Sequence, residues 1–219
     1  LPSSVMATAS TGANETRAIT LADGTLVWLN SNSTLSFPET FTQQERRVAL
    51  VGEGFFEVAK NTALPFHINT NDIEITVLGT SFQVDAQADS IIKIQVSTGK
   101  VLVSTQAKDQ QLTLEKDQAA QWSSTTQELE RIAINSNDYA WQSQILRFDQ
   151  TPLKDVVNDI ARYFNVSISL ENKQLENCSF GGYFPNPDLI EILDALKESY
   201  ALDWQQTDQH YQLYNGSCQ

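Results

Sequence analysis

The chain has 219 residues, 41% hydrophobic and 19% charged, enough apolar content for one large or two small folded domains and too much for a disordered chain. Lys and Arg number 14 against 27 Asp and Glu, a net charge of −13. A general binder of phosphate backbones needs a basic face, so a nucleic-acid role is excluded, and adhesion to anionic lipid is disfavoured. Residues 1–141 carry 9 basic and 16 acidic groups, and residues 142–219 carry 5 and 11, so the shorter part is the more densely acidic.

Residues 1–16 are rich in Ser, Thr, Ala and Asn without an apolar period, and are expected to form a tail or linker. From Arg17 the pattern alternates with a period of two. Thr25 to Leu29 follows the turn Asp23-Gly24, a hairpin signal. Four further stretches read as strand, turn and strand: Val48 to Val58 around Gly52 and Gly54, Ile73 to Val84 around Gly79, Ile92 to Val103 around Gly99, and Leu112 to Trp122 around Lys116-Asp117. No such unit buries its apolar face alone, so residues 17–140 are expected to stack into an all-β sandwich or solenoid-like sheet.

Near Ser136 to Gln144 the pattern breaks, and the period then becomes 3.6. Two segments match at an offset of 36 residues: Phe148 with Phe184, Leu153 with Leu189, Val156 and Val157 with Ile192 and Leu193, Ile160 with Leu196. Thr151-Pro152 and Asn186-Pro187 each place a cap residue before a proline at a helix start, and Asn165 is expected to end the first helix. With Tyr211 to Tyr214 as a last strand, residues 145–215 are expected to be a small α+β domain of two strand–helix–strand (βαβ) repeats, followed by a tail at 216–219.

Ordered blocks of sequence resemble one family. Leu21-Ala22-Asp23-Gly24-Thr25-Leu26-Val27-Trp28-Leu29-Asn30, then Ser33-Thr34-Leu35, resembles the "LPDGSxVWLNxxSxL" opening of FecR-like anti-sigma regulators. Val51 to Val58 is similar to their "GEAFFEV" block, Pro65-Phe66 with Ile68-Asn69-Thr70 to "PFxVxT", and Val77 to Val84 to "VLGTxFNV". Leu146 to Leu153 resembles the entry to the family's C-terminal domain, a short module of the secretin and TonB N-terminal type. The departures, Ala22, Gly54 and Gln83, remove no turn glycine. The resemblance implies the periplasmic part of a regulator anchored in the bacterial inner membrane, with residues 1–16 following a membrane helix. It implies as partners the signalling domain of an outer-membrane TonB-dependent transporter, carrying a siderophore or a glycan. It also implies an extracytoplasmic-function sigma factor, reached through a cytoplasmic segment outside this sequence. No cofactor, no nucleic acid and no catalysis are expected.

Cys178 lies just before the strand that opens the second repeat and Cys218 just after the last strand. Antiparallel pairing of those strands would let them form a disulfide in an oxidising periplasm; the alternative is two unrelated free thiols. Tyr211 to Tyr214 is the strand expected to offer a docking edge, with Tyr211 and Tyr214 as contact residues.

Other candidates carry less chemistry. Glu53 and Glu57, four apart on a strand, are the best paired carboxylates, at roughly 13 Å between α-carbons on a ~3.3 Å rise; a glycosidase pair has its carboxyl groups ~5–9.5 Å apart. His67 and His210 are isolated, so metal ligation has no partner set. No G-x-S-x-G, C-x-x-C or H-E-x-x-H occurs, and Gly181-Gly182 lacks the Lys and Ser/Thr of a P-loop. Trp28, Trp122 and Trp204 fall in phase with apolar strand neighbours and read as core, while Trp141 reads as packing near the junction. Five N-x-S/T sequons, Asn32 and Asn165 among them, arise easily in a chain rich in Asn, Ser and Thr. The competing function is a carbohydrate-binding β-sandwich, which requires exposed aromatics clustered on one face of residues 17–140.

Overall fold

The computed structural model describes residues 5–88 and 90–218. The chain divides into two compact units, Leu1–Ile134 and Asn135–Gln219. Of the expected linker and tail, residues 1–4 and Gln219 lie outside the described residues.

The first unit contains β1 (Met6–Ser10), β2 (Arg17–Thr20), β3 (Leu26–Leu29), β4 (Thr34–Pro38), β5 (Arg46–Glu57), β6 (Phe66–Thr70), β7 (Ile73–Val77), β8 (Ser81–Ala88), β9 (Ile91–Thr98), β10 (Lys100–Thr105), β11 (Gln111–Glu115), β12 (Gln118–Ser123) and β13 (Glu128–Ile132). All thirteen belong to one sheet, folded into two leaves that share β5. The first half of β5 pairs with β4 and, in parallel, with β6; its second half pairs with β3 and β8. One leaf therefore runs β1-β4-β5-β6-β7-β10-β11 and the other β2-β3-β5-β8-β9-β12-β13. Val48, Leu50, Ile68, Ile75 and Val103 of the first leaf share one core with Leu29, Phe56, Phe82, Ile94 and Val96 of the second.

Gly52 makes the shared strand possible. Its φ of +91° turns β5 from one leaf into the other, and a Cβ there would stand 2.5 Å from Ser33 Oγ and 2.8 Å from Ser33 Cα. The stretch Val48 to Val58, expected as a hairpin, is thus one bent strand of 12 residues. The other three expected hairpins are corners as well. β7 leaves the first leaf and β8 enters the second through Gly79, where a Cβ would lie 2.7 Å from Lys60 Cα. β9 passes to β10 at Gly99, and β11 to β12 at Lys116-Asp117, in the same manner. A positive-φ residue between two apolar runs permits either a reversal or a crossing, and here it crosses.

The segment 1–16 is not only a linker, since Met6–Ser10 forms β1 against β4. Only Ala9 is fully buried there, so the strand shows no apolar alternation in sequence.

The second unit runs α1 (Ala140–Ser143), β14 (Ile145–Pro152), α2 (Leu153–Phe164), β15 (Ser167–Leu170), a 3-10 turn at Lys173–Leu175, β16 (Ser179–Pro185), α3 (Leu189–Tyr200), β17 (Leu202–Thr207) and β18 (His210–Asn215). Each long helix has 12 residues. α2 buries Leu153, Val156, Val157 and Ile160, and α3 buries Ile192, Leu193, Leu196 and Tyr200, the stripe expected of a one-sided helix. Asn165 and Ala201 close them in the left-handed conformation. The helix starts differ from expectation. Pro152 is itself the cap residue of α2, without a side-chain bond, and Asp188 caps α3 by accepting from Glu191 N–H at 3.0 Å.

Strand, helix and strand occur in that order twice, yet the two strands of each set lie in different sheets. β14 pairs antiparallel with β16, and β18 runs between β15 (parallel) and β17 (antiparallel). β18 is therefore the middle strand, which overturns Tyr211 and Tyr214 as an edge: Tyr211 lies between Ile168 and Gln206, and Tyr214 pairs with Asp203. Tyr211 is also buried, against Trp204. Cys178 and Cys218 form a disulfide with α-carbons 5.7 Å apart. The strands they flank do not pair with each other, so the bond ties the β14–β16 sheet to the end of the three-stranded sheet.

Candidate functional site

Asp159 organises the entry to the second unit. This buried carboxylate on α2 accepts from Asn135 Nδ2 at 2.9 Å, Asn137 Nδ2 at 2.8 Å and Arg162 Nη2 at 3.1 Å. Arg162 also pairs with Asp138 at 2.7 Å. Held in this way, the Asn137 side chain faces β14: its Oδ1 accepts from Arg147 N–H at 2.8 Å and its Nδ2 donates to Arg147 C=O at 3.0 Å. The amide stands in for a neighbouring strand and closes that edge of β14.

The same bonds fix the opposite edge. Arg147 directs its backbone away from β16, so Arg147 and Tyr183, which face each other, form a pair without mutual hydrogen bonds. The N–H and C=O of Tyr183 therefore point outward from the two-stranded sheet. The Tyr183 side chain is 60% exposed, and β16, Ser-Phe-Gly-Gly-Tyr-Phe-Pro, carries no charge. Phe180 and Phe184 turn inward against Phe148. The result is an uncharged edge with an exposed aromatic, the arrangement that accepts a strand from another protein. The sequence signal for this edge is the uncharged run Gly181-Gly182-Tyr183.

The expected carboxylate pair does not assemble into chemistry. Glu53 is buried and accepts from Asn30 Nδ2 at 2.7 Å and from Gln83 Nε2, while Glu57 stands in solvent. His67 is half-buried, 3.1 Å from Thr76 Oγ1 and 3.9 Å from Glu74. Burial and the Arg47 charge hold its pKa below the ordinary value. His210 lies between Ser167 Oγ at 2.9 Å and Ser169 Oγ at 3.0 Å, with a hydroxyl on each ring nitrogen and neither nitrogen held by an orienting carboxylate. Among the described residues no group of three or more His, Cys, Asp or Glu could hold a metal ion.

A groove of about 260 Å³ crosses the outer face of the first leaf, lined by Met6, Pro38, Glu45, Arg47, Ala49 and Asn69 among others. Its one cation is already engaged: Arg47 is 3.2 Å from Glu45 and 2.8 Å from Glu74. That bond draws the Glu74 carboxyl below its usual range and raises Arg47.

Trp122 is buried, Trp28 packs edge-on to Phe55 with ring centres 6.0 Å apart, and Trp204 donates to Asp194 at 3.1 Å. Among the described residues of the first unit, the exposed large apolar side chains are Val5, Met6, Leu26, Val51, Leu78, Leu102 and Ile134, none aromatic. The stacking platform that a carbohydrate-binding reading requires is not among them. No helix of the described residues is long and apolar enough to cross a membrane.

The model of the FecR protein family matches residues 7–119, and that of the FecR C-terminal region matches residues 145–213. Two crystal structures of a candidate anti-sigma factor from Parabacteroides distasonis, at 1.65 Å and 2.50 Å resolution, are similar to the chain. Both share 29% identity and a TM-score of 0.71, covering 96% and 97% of this chain and 100% of theirs. No curated protein sequence matches.

Proposed function

This chain belongs to the FecR family, and from that premise we propose that it is the periplasmic sensing part of a membrane-anchored anti-sigma regulator. In this reading the second unit docks the N-terminal signalling domain of an outer-membrane TonB-dependent transporter. Occupancy of that transporter by its siderophore or glycan is relayed to an extracytoplasmic-function sigma factor through a cytoplasmic segment outside this chain. The role is recognition between proteins, without catalysis.

The observation that carries the docking half is the open edge of β16. Asn137 closes the other side of that sheet, whereas Tyr183 offers an N–H, a C=O and an exposed ring. The domain division we propose is a β domain that includes β1 and ends at Ile134, and a docking module from Asn135 whose repeats lie at 145–215, of the secretin and TonB N-terminal type and built by duplication. In support, the 36-residue offset superposes α2 on α3 and Asn165 on Ala201, both left-handed. With 5 basic and 11 acidic groups over 142–219, the module favours a neutral or basic partner surface. Raising salt then slows association. Pull-down of the co-encoded transporter's signalling domain tests the reading: capture by the full chain supports it, and capture undiminished by deletion of residues 145–219 refutes the placement.

A further inference from the structure

The open edge of β16 is a short window with a fixed frame. Asn186 N–H donates to Gln144 C=O at 2.7 Å and Leu153 N–H donates to Cys178 C=O at 2.9 Å, so the even positions of this stretch bond inward. Gly181 and Tyr183 therefore turn their N–H and C=O groups to the free side, where β16 has no other strand among the described residues. At one end the Tyr200 hydroxyl donates to Ser179 C=O at 2.8 Å. At the other, Pro185 has no N–H to offer. Gly181 and Tyr183 are thus the residues of β16 that can exchange both backbone bonds with an incoming strand.

Gly181 is a glycine that the fold itself does not require. Its φ is not positive, unlike that of Gly52 or Gly79. A Cβ there would meet only Phe148 C=O, at 3.9 Å, an ordinary contact. At the neighbouring Gly182 the same atom would stand 2.5 Å from the Phe184 ring, so that glycine answers to packing. Gly181 has no register partner on β14 either, because β14 bulges between Phe148 and Thr151. A glycine inside a strand lowers stability and gives no side chain to pack. Here it leaves a notch beside the exposed ring of Tyr183, since positions 181 and 183 point to one face.

We propose, resting on the docking reading above, that this notch receives an aromatic side chain of the strand that docks on β16. In an antiparallel pairing the partner residue opposite Gly181 sits diagonal to Tyr183. Such diagonal neighbours lie about 7–8 Å apart, a gap that aromatic and long side chains span and short ones do not. Charge narrows the choice further. β16 itself carries none, while the β14 side offers one charge of each sign: Arg147, in register with Tyr183, and the exposed Asp149 in the bulge. Neither a cation nor an anion is favoured there, and a ring is both long and uncharged. It covers the bare backbone of the strand glycine, as aromatic residues do across sheets, and meets the Tyr183 ring from the side. The docked strand is short, with its aromatic opposite Gly181 and a second residue opposite Tyr183.

Isothermal titration of the full chain with the co-encoded transporter's signalling domain is the test, with Gly181→Val and Gly181→Ala beside the unsubstituted chain. Val suits a strand and meets no clash, so the urea midpoint of Gly181→Val stays equal or rises. Its methyls fill the notch, and affinity falls by about tenfold or more. Gly181→Ala adds a single methyl, keeps the fold if Val does not, and weakens binding by about threefold. A variant that keeps or gains stability and loses binding separates the notch from a merely structural glycine. On the other side, each exposed Phe, Tyr and Trp of the signalling domain is changed in turn to Ala. One of them weakens binding by about threefold to tenfold and loses most of that effect in the Tyr183→Ala background. Affinities of Gly181→Val and Gly181→Ala within about twofold of the unsubstituted chain overturn the notch, and docking at β16 stands if Tyr183→Asp still weakens binding. A signalling domain in which no aromatic residue is coupled to Tyr183 also overturns it. A domain that does not bind the unsubstituted chain overturns the notch and the docking reading together.

Discussion

Arg46 and Asp23 form a buried ion pair, Nη1 to Oδ2 at 2.7 Å, with the guanidinium 2% exposed. Arg46 also donates from Nη1 to Ala59 C=O at 2.8 Å and from Nε to Leu64 C=O at 2.9 Å, and lies over the Phe66 ring. Asp23 in turn accepts from Thr25 Oγ1 at 2.8 Å. One side chain thus binds the Asp23-Gly24 turn, the start of β5 and the 59–64 loop together. Arg46→Ala strands a carboxylate with 14% exposure and is expected to cost about 3–5 kcal/mol, read as a lower urea midpoint.

Gly52 is where β5 changes leaf, and Gly52→Ala is expected to destabilise the first unit by about 2–4 kcal/mol through a positive φ and the contact with Ser33. An unchanged urea midpoint would mean that β5 does not bend there.

Acid weakens the outer face of the first leaf in two steps. The folded pKa of His67 lies below 6.5, under the effects of burial and Arg47, with Glu74, Glu45 and Lys108 also facing it. As pH falls below 6.5 the unfolded chain takes up the proton first, and stability is lost until the folded value is reached. Glu74 is depressed below 4.5, chiefly by its bond to Arg47, so its contribution is present at neutral pH and lost as pH falls through the folded value. Urea midpoints between about pH 7.5 and about pH 5.5 are expected to fall, and His67→Gln to flatten that interval while leaving the later loss.

The Cys178–Cys218 bond closes a separation of 40 residues. Replacing both cysteines with Ser is expected to lower the stability of the second unit by about 3–4 kcal/mol and leave the first unit unchanged, which calorimetry with two resolved transitions reads.

The helices were legible because Leu153, Val156, Val157 and Ile160 repeat at helical spacing and all are buried. The individual strands were legible for the same reason at period two. What sequence could not convey was pairing. Gly52, Gly79 and Gly99 announce a change of direction, but a corner between leaves and a hairpin ask the same φ of the chain. β1 carries no apolar period because only Ala9 of it is fully buried, and the alternation of β18 does not distinguish an edge from a middle strand. The open backbone of Tyr183 follows from the two bonds of Asn137 to Arg147, a contact between side chain and strand that no sequence period encodes.

The central claim is that the second unit recognises a transporter's signalling domain through the edge of β16. Isothermal titration of the full chain with that domain, beside Tyr183→Asp and residues 1–134 alone, tests it most directly. The account predicts binding by the full chain, weakening of about tenfold or more in Tyr183→Asp, and none by residues 1–134. Equal affinity for residues 1–134 and the full chain would contradict it.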